Sequence, residues 1–229
     1  MKIRLTESQY KVLTEAMMPG FRLDYLTSCK SFSKKVKYCK EMLGAPIGNG
    51  SSRMVFQIDD ETCLKLAKNE KGVAQNMEEM SIARDGFISY IPKVYNGSDT
   101  ENGLWIVTQY VLPAKASDFK KVLEIPFYDI RSFAYHTDRR FNYKLADYSL
   151  RASDKAISEL YQKYEDNDAV IELFNDIHDL KANYNQFVGD LAATRNWGLT
   201  RENGTEHLVM LDTGFSEEVY NQFYKPKTV

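Results

Sequence analysis

A chain of 229 residues with 13% aromatic and 27% charged side chains has material for one two-lobed domain or two small ones, which excludes a disordered or low-complexity protein. The formal net charge of −2 supplies no global field, so neither nucleic acid nor an anionic membrane is an expected partner. The three cysteines, Cys29, Cys39 and Cys63, show no CxxC and no metal-like spacing to His136, His178 or His207, which argues for a reducing compartment. Met1–Leu5 runs into Thr6, Glu7 and Ser8 without an apolar signal core, and the most apolar window, Leu104–Leu112, is too short to cross a bilayer. The expectation is a soluble, intracellular protein.

Thr6 is the expected cap of a first helix reaching about Met17, with Leu13 inward and Pro19–Gly20 as its stop. A second helix is expected from Ser31 or Ser33 to Met42, ending at Gly44. Its lysines (Lys34, Lys35, Lys37 and Lys40, with Lys30 before them) read as a solvated face rather than a phosphate-binding patch. Gly48-Asn49-Gly50-Ser51-Ser52 follows, a run with little side-chain bulk, where backbone N–H groups can approach an anion closely. Met54, Phe56 and Ile58 then alternate with Val55, Gln57 and Asp59, Asp59–Glu61 reads as a turn, and Thr62–Leu66 as a returning strand carrying Lys65. A glycine loop on one strand and a lone lysine on the next form a phosphate-binding arrangement; the plain alternative is an ordinary hairpin turn.

Asn69–Gly72 is the next expected turn, and Val73–Arg84 the next helix, bearing Glu78 and Glu79. A short strand is expected at Ile91–Tyr95 with Asn96–Gly97 as its turn, and a strong one at Leu104–Val111, ended by Pro113. From Ser117 the pattern turns helical. The expected pieces are Asp118–Leu123 before Pro126, Asp129–Tyr135, a helix capped by Ser153 with Ile157, Leu160, Tyr161 and Tyr164, and an amphipathic helix through Val170, Ile171, Phe174, Ile177 and Leu180. The change near Pro113 sets the expected lobes at 1–112 and 113–229. No GxSxG, HExxH or G-x-x-x-x-G-K-[ST] occurs.

Together these residues resemble the protein-kinase-like superfamily. Gly48-x-Gly50-x-x-Arg53-x-Val55 is similar to its G-x-G-x-x-G-x-V loop, with the third glycine replaced, and Lys65 falls at its strand lysine. With Gly72-x-Ala74-Gln75-Asn76-x-x-Glu79 the wording looks like small kinase-like proteins encoded by tailed bacteriophages. The resemblance implies an α+β, two-lobed fold, with an antiparallel sheet and one helix in the first lobe and a reduced, mostly helical second lobe. It implies ATP and Mg²⁺ as cofactors, with Gly48, Gly50, Ser51, Ser52 and Lys65 on the phosphates and Glu79, or its neighbour Glu78, pairing with Lys65. Gln109–Val111 would be the hinge reading the adenine edge, with Thr108 behind the base; as a plain core strand the segment is equally well formed. Phe187–Leu191 looks like the strand and loop holding the catalytic aspartate, Asp190, and Leu211-Asp212-Thr213-Gly214 resembles the metal-binding D-F-G. Asn196 and Asp212 would then hold Mg²⁺.

Three departures accompany the likeness. Asn196 stands six positions after Asp190 where the family motif has five, Val188–Gly189 replaces the histidine, and only fifteen residues (215–229) follow Gly214. His178-Asp179-Leu180-Lys181 imitates the catalytic motif, but within a helical pattern, so Asp190 is preferred to Asp179. The leading expectation is an ATP-dependent phosphotransferase acting on a hydroxyl, on a protein substrate. A pseudokinase that binds a host or virion protein is the alternative, and a small-molecule kinase of the aminoglycoside-phosphotransferase type, with residues 115–170 building its pocket, is the second. The expected location is the cytoplasm, that of the host if the gene is a phage's.

Overall fold

The computed structural model describes residues 20–98, 103–138, 147–202 and 204–225. The helix expected at Thr6–Met17 lies outside the described residues. The chain is α+β and divides into two compact units, Met1–Met80 with Lys93–Tyr110, and Ser81–Pro92 with Val111–Val229.

In the first unit a short helix, α1 (Leu23–Ser28), precedes α2 (Phe32–Leu43). Ser31 caps α2 by accepting from the Lys34 N–H at 3.4 Å, and Gly44 ends it at φ +85°, a conformation that favours glycine. Most of the lysine run is exposed, but Lys35 turns inward and its Nζ donates to the Cys29 carbonyl. All three cysteines are free and buried, and burial pushes the Cys39 thiol up to about 12, which removes it as a nucleophile at neutral pH.

The strands β1 (Gly48–Asn49), β2 (Arg53–Gln57), β3 (Thr62–Ala67), β4 (Val94–Gly97) and β5 (Trp105–Gln109) form an antiparallel sheet in the order β1-β2-β3-β5-β4. Register assigns the side chains to faces. Phe56 opposes Leu64, which opposes Val107, and these pack with Ile58, Leu66, Trp105, Leu26 and Cys39 into one core. Val55 opposes Lys65, which opposes Ile106, so the lysine stands on the other face with Arg53 and Thr108. Asn96–Gly97, expected as a turn, belongs to β4; a bulge after Val94 shifts the register there, and a side chain at residue 97 would strike Met80 Sδ at 2.3 Å.

The helix α3 runs Glu70–Asp85, three residues earlier than the sequence suggests. Asn69 explains the difference: its Oδ1 accepts the Gly72 N–H at 3.2 Å and its carbonyl accepts the Val73 N–H at 3.1 Å, so Gly72 lies in the first turn.

The second unit contains α4 (Ala116–Leu123), α5 (Phe127–Thr137), α6 (Asp147–Lys163), α7 (Asp168–Tyr184), α8 (Val188–Leu191) and α9 (Glu217–Phe223). A small sheet of β6 (Leu112–Pro113), β7 (Trp197–Glu202) and β8 (Thr205–Met210) accompanies them. Phe119, Phe133, Phe174, Ile177 and Trp197 are fully buried at its centre. Ser153 does not cap α6: it lies well inside the helix, buried, with Oγ 3.2 Å from His136 Nδ1. Phe187–Leu191, expected as a strand and loop, instead gives the N-cap Phe187 and the single-turn α8, with an isolated β-bridge from Gln186 to Ser216 just before it. Helical spacing then sends both Val188 and Leu191 into the core. No helix among the described residues is long and apolar enough to cross a membrane.

Asp176 on α7 anchors the segment after α3, accepting the Ser89 and Tyr90 N–H groups at 2.7 Å each. Burial pushes its carboxyl up to about 6 from an ordinary 3.8, against those two hydrogen bonds, with Glu172 and Asp179 adding to the rise. The folded state therefore holds a proton that the unfolded chain has lost between about pH 4 and pH 6, and stability falls as pH rises through that window. The unfolding free energy of wild type minus that of Asp176→Asn should drop by about 1 to 2 kcal/mol from pH 4 to pH 7, allowing for solvent relaxation, in urea titrations at each pH. A pH-independent difference would refute this account of Asp176.

Candidate functional site

The polar face of the first sheet carries a buried ion triad. Lys65 Nζ lies 2.6 Å from Glu79 Oε2, and Arg53 Nη1 lies 2.6 Å from Glu79 Oε1. All three side chains are at least nine-tenths buried. Each carboxylate oxygen is thus taken by a different cation, through charge-assisted hydrogen bonds. Asn76 of α3 extends the group to the sheet: it receives an Arg53 N–H at 3.3 Å and donates to the carbonyls of Gly103 (2.8 Å) and Lys65 (3.4 Å). The partner of Lys65 is therefore Glu79, and the choice against Glu78 is made by which face of α3 meets the sheet.

Above the triad, the glycine loop is held from one side. Gly50 O accepts Lys68 Nζ at 2.8 Å, Ser51 O accepts Asn69 Nδ2 at 3.3 Å, and Ser52 O accepts the Lys68 N–H at 2.8 Å. In a planar trans peptide the carbonyl of one residue and the N–H of the next point in opposite directions. With three successive carbonyls drawn toward 68–69, the N–H groups of Ser51, Ser52 and Arg53 are turned away from that segment, as an anion-binding concavity requires. The Ser52 hydroxyl itself goes to Gln75 Oε1 at 2.5 Å, so Ser52 has a backbone group rather than a side chain to offer. Gly48 lies in β1 opposite Val55, and Gly50 closes the turn by donating to Arg53 O at 3.0 Å.

At the far end of β5, Thr108 is buried with Oγ1 3.3 Å from Cys63 Sγ. The Gln109 N–H donates to Lys93 O at 2.8 Å, and the Tyr110 N–H to Glu61 O at 2.6 Å, so both are engaged within their own unit. Val111 belongs to the second unit, where it packs so closely on Gly198 that a Cβ there would meet Val111 Cγ1 at 2.4 Å.

The second unit assembles the acidic residues. Asn196 ends a 3₁₀ turn (Thr194–Asn196) immediately before β7, and Asp212 follows β8; pairing of Trp197 with Met210 closes the hairpin, and Leu211 N–H donates to Asn196 O at 2.8 Å. Asn196 Nδ2 donates to Asp190 Oδ1 at 2.9 Å and to the Asp190 carbonyl at 3.2 Å. Trp197 Nε1 donates to Leu191 O at 2.9 Å, tying the same loop to the core. Burial raises the Asp190 carboxyl above the ordinary carboxylate range; the Asn196 hydrogen bond opposes this, the Asp212 charge adds to it, and Arg195 counters.

Among the described residues no three His, Cys, Asp or Glu side chains converge as a metal cage. Magnesium does not need one: it commonly takes one or two carboxylates and completes its shell with water and phosphate oxygens. The Asp212 carboxylate and the Asn196 amide oxygen, whose Nδ2 side is taken by Asp190, are donors of the kind that demand calls for. His178 and Asp179, by contrast, pair with each other at 3.6 Å on the exposed side of α7.

The residue that sequence reasoning overlooked is Arg53. Only its position at the missing third glycine pointed to it, and that position marks a loss without naming a gain.

No protein-family model matches the chain, and no curated protein matches it. Among solved structures it is similar to the streptomycin–ATP–APH(2″)-IIa ternary complex, with 14% identity over 93% of this chain and 73% of that one, and a TM-score of 0.33. So loose a likeness leaves the argument with this chain's own geometry.

Gly72 tests the loop's support. A Cβ at residue 72 would lie 2.2 Å from Ser52 O and 3.0 Å from Ala67 Cα. Helix propensity alone makes alanine the better residue by about 1 kcal/mol. A contact with backbone on that scale reverses the sign, so Gly72→Ala should destabilise by about 1 to 3 kcal/mol in urea unfolding. A stabilised variant would mean that loop and helix do not approach this closely.

Proposed function

We propose that the chain is an ATP-dependent phosphotransferase of the protein-kinase-like kind, with a hydroxyl group, on a protein, as acceptor. The observation that carries the reading is the buried Lys65–Glu79 ion pair on a strand next to a glycine loop whose carbonyls are drawn inward. A lysine fixed by a glutamate is a point charge for the α and β phosphates, and outward N–H groups of the loop suit the phosphates beyond them. The Asp190–Asn196–Asp212 cluster supplies the complementary chemistry.

In this reading Asn196 and Asp212 would hold Mg²⁺, which when bound would neutralise phosphate charge. Asp190 orients the acceptor and takes its proton. The acceptor oxygen forms a bond to the γ-phosphorus, the bond from that phosphorus to the β–γ bridging oxygen breaks, ADP leaves, and the hydroxyl proton goes to the Asp190 carboxylate. A base raised above the usual carboxylate range by burial is better matched to proton abstraction than an exposed aspartate. Donation by ATP goes with a cytoplasmic setting.

Mg-ATP at a hundredfold excess over its Kd should stabilise the protein by about 2.7 kcal/mol, a Tm rise of about 5 to 10 °C. Lys65→Met and Asp212→Asn should each remove most of that rise; an unchanged Tm of wild type would end the reading. Transfer of the γ-phosphate from labelled ATP, to the protein itself or to protein acceptors in a lysate, should fall by about 10² to 10⁴ in Asp190→Ala while nucleotide binding persists. As pH falls, the wild-type rate should decline through the raised Asp190 titration, because the protonated carboxyl cannot act as base. Binding without any transfer would instead identify a nucleotide-dependent binding module.

A further inference from the structure

Arg53 stands where the glycine-loop pattern has its third glycine, yet it is not a surface substitution. Its side chain is 9% exposed, and its guanidinium contacts Glu79 Oε1 at 2.6 Å and Asn76 Oδ1 at 3.3 Å. We infer that Arg53 is a positioning residue that fixes the Glu79 carboxylate so that only Oε2 faces Lys65, making glycine loop, strand lysine and α3 one preformed phosphate-binding body. The inference rests on the phosphotransferase reading, since it assigns Arg53 a part in nucleotide binding.

The geometry carries this in three steps. A carboxylate held by one cation can rotate and can engage it with either oxygen or both; one held at each oxygen by a different cation cannot. Arg53 is planar and rigid, and it belongs to β2 directly after the loop, so its hold on Glu79 also holds the loop's end. The other loop contacts converge on the same helix start: Lys68 on Asn49 Oδ1 and Gly50 O, Asn69 on Ser51 O, and Ser52 on Gln75. A site ordered before its ligand arrives loses less freedom on binding, so it binds more tightly for the same contacts.

The test is a double-mutant cycle on Arg53→Gln and Glu79→Gln, read in two ways on the full chain: urea unfolding without nucleotide, and Mg-ATP and adenosine titrations. Arg53→Gln should weaken Mg-ATP by about tenfold and leave adenosine binding unchanged, because the loss is confined to the phosphate-binding group. In the Glu79→Gln background the same change should weaken Mg-ATP by less than about twofold. Arg53→Lys, which keeps a cation but not the planar guanidinium whose Nη1 serves both Glu79 and Asn76, should recover part of the affinity and covers the case of an unfolded glutamine variant. If wild type binds Mg-ATP and Arg53→Gln binds it equally well, or if the two losses simply add, the assignment to Arg53 is wrong while the phosphotransferase reading stands. If wild type binds no nucleotide, that reading falls and this inference falls with it, even where unfolding shows Arg53 and Glu79 to be coupled.

Discussion

A carboxylate buried with a different cation on each oxygen is a strong positional constraint, because it is the counter-charge that both cations share. Removing ions from water costs several kcal/mol each, recovered only while the geometry is held, and breaking one such contact costs about 3 to 5 kcal/mol. Glu79 imposes that condition on β2 through Arg53 and on β3 through Lys65. The placement of α3 against the sheet, the direction of the loop's carbonyls and the absence of a side chain at Gly72 are all consistent with it. Gly72 must let Ser52 O approach, since otherwise Arg53 and Glu79 are held apart by the intervening backbone.

The acidic half obeys a different rule. Here Asp190 and Asp212 lie on loops tied by the Asn196 amide, the Trp197 indole and the backbone bond from Leu211 to Asn196, with Arg195 countering the effect of the Asp212 charge on Asp190. The Asp212 charge adds to the rise that burial gives the Asp190 carboxyl, while the Asn196 hydrogen bond and Arg195 oppose it. Trp197 is fully buried against Phe119, which anchors the start of β7 in the core.

What was readable in the chain was whatever a period could encode. Alternation at Met54, Phe56 and Ile58 marked β2 as a strand; that Phe56 faces the core and Lys65 stands opposite Val55, away from it, comes from the register of the sheet. The run at Val170, Phe174, Ile177 and Leu180 gave α7 its buried stripe. What escaped was set by tertiary partners. Glu78 and Glu79 are adjacent acids, and only the packing of α3 distinguishes them. Val188–Leu191 is apolar enough for a strand, but without a neighbouring ladder its amides close on themselves as a helical turn. Ser153 has the chemistry of a cap and was instead used inside α6, where His136 gives its hydroxyl a partner. Arg53 escaped because a missing glycine reads as a defect until its guanidinium is seen on Glu79.

The departures from the kinase-like pattern have local physical explanations that weigh on how they are judged. A third glycine is needed where loop backbone must adopt an unusual conformation or admit a ligand; residue 53 does neither, being already in β2 and paired with Ala67. The extra position between Asp190 and Asn196 is absorbed by the 3₁₀ turn at Thr194–Asn196, after which the Asn196 amide still reaches Asp190. Val188 and Gly189, where the pattern has histidine, divide between them a core anchor and an open position: Val188 is buried, and a side chain at residue 189 would meet nothing within 4 Å. At the first two changes a neighbouring side chain is held by another contact: Glu79 by Arg53, and Asp190 by the Asn196 amide.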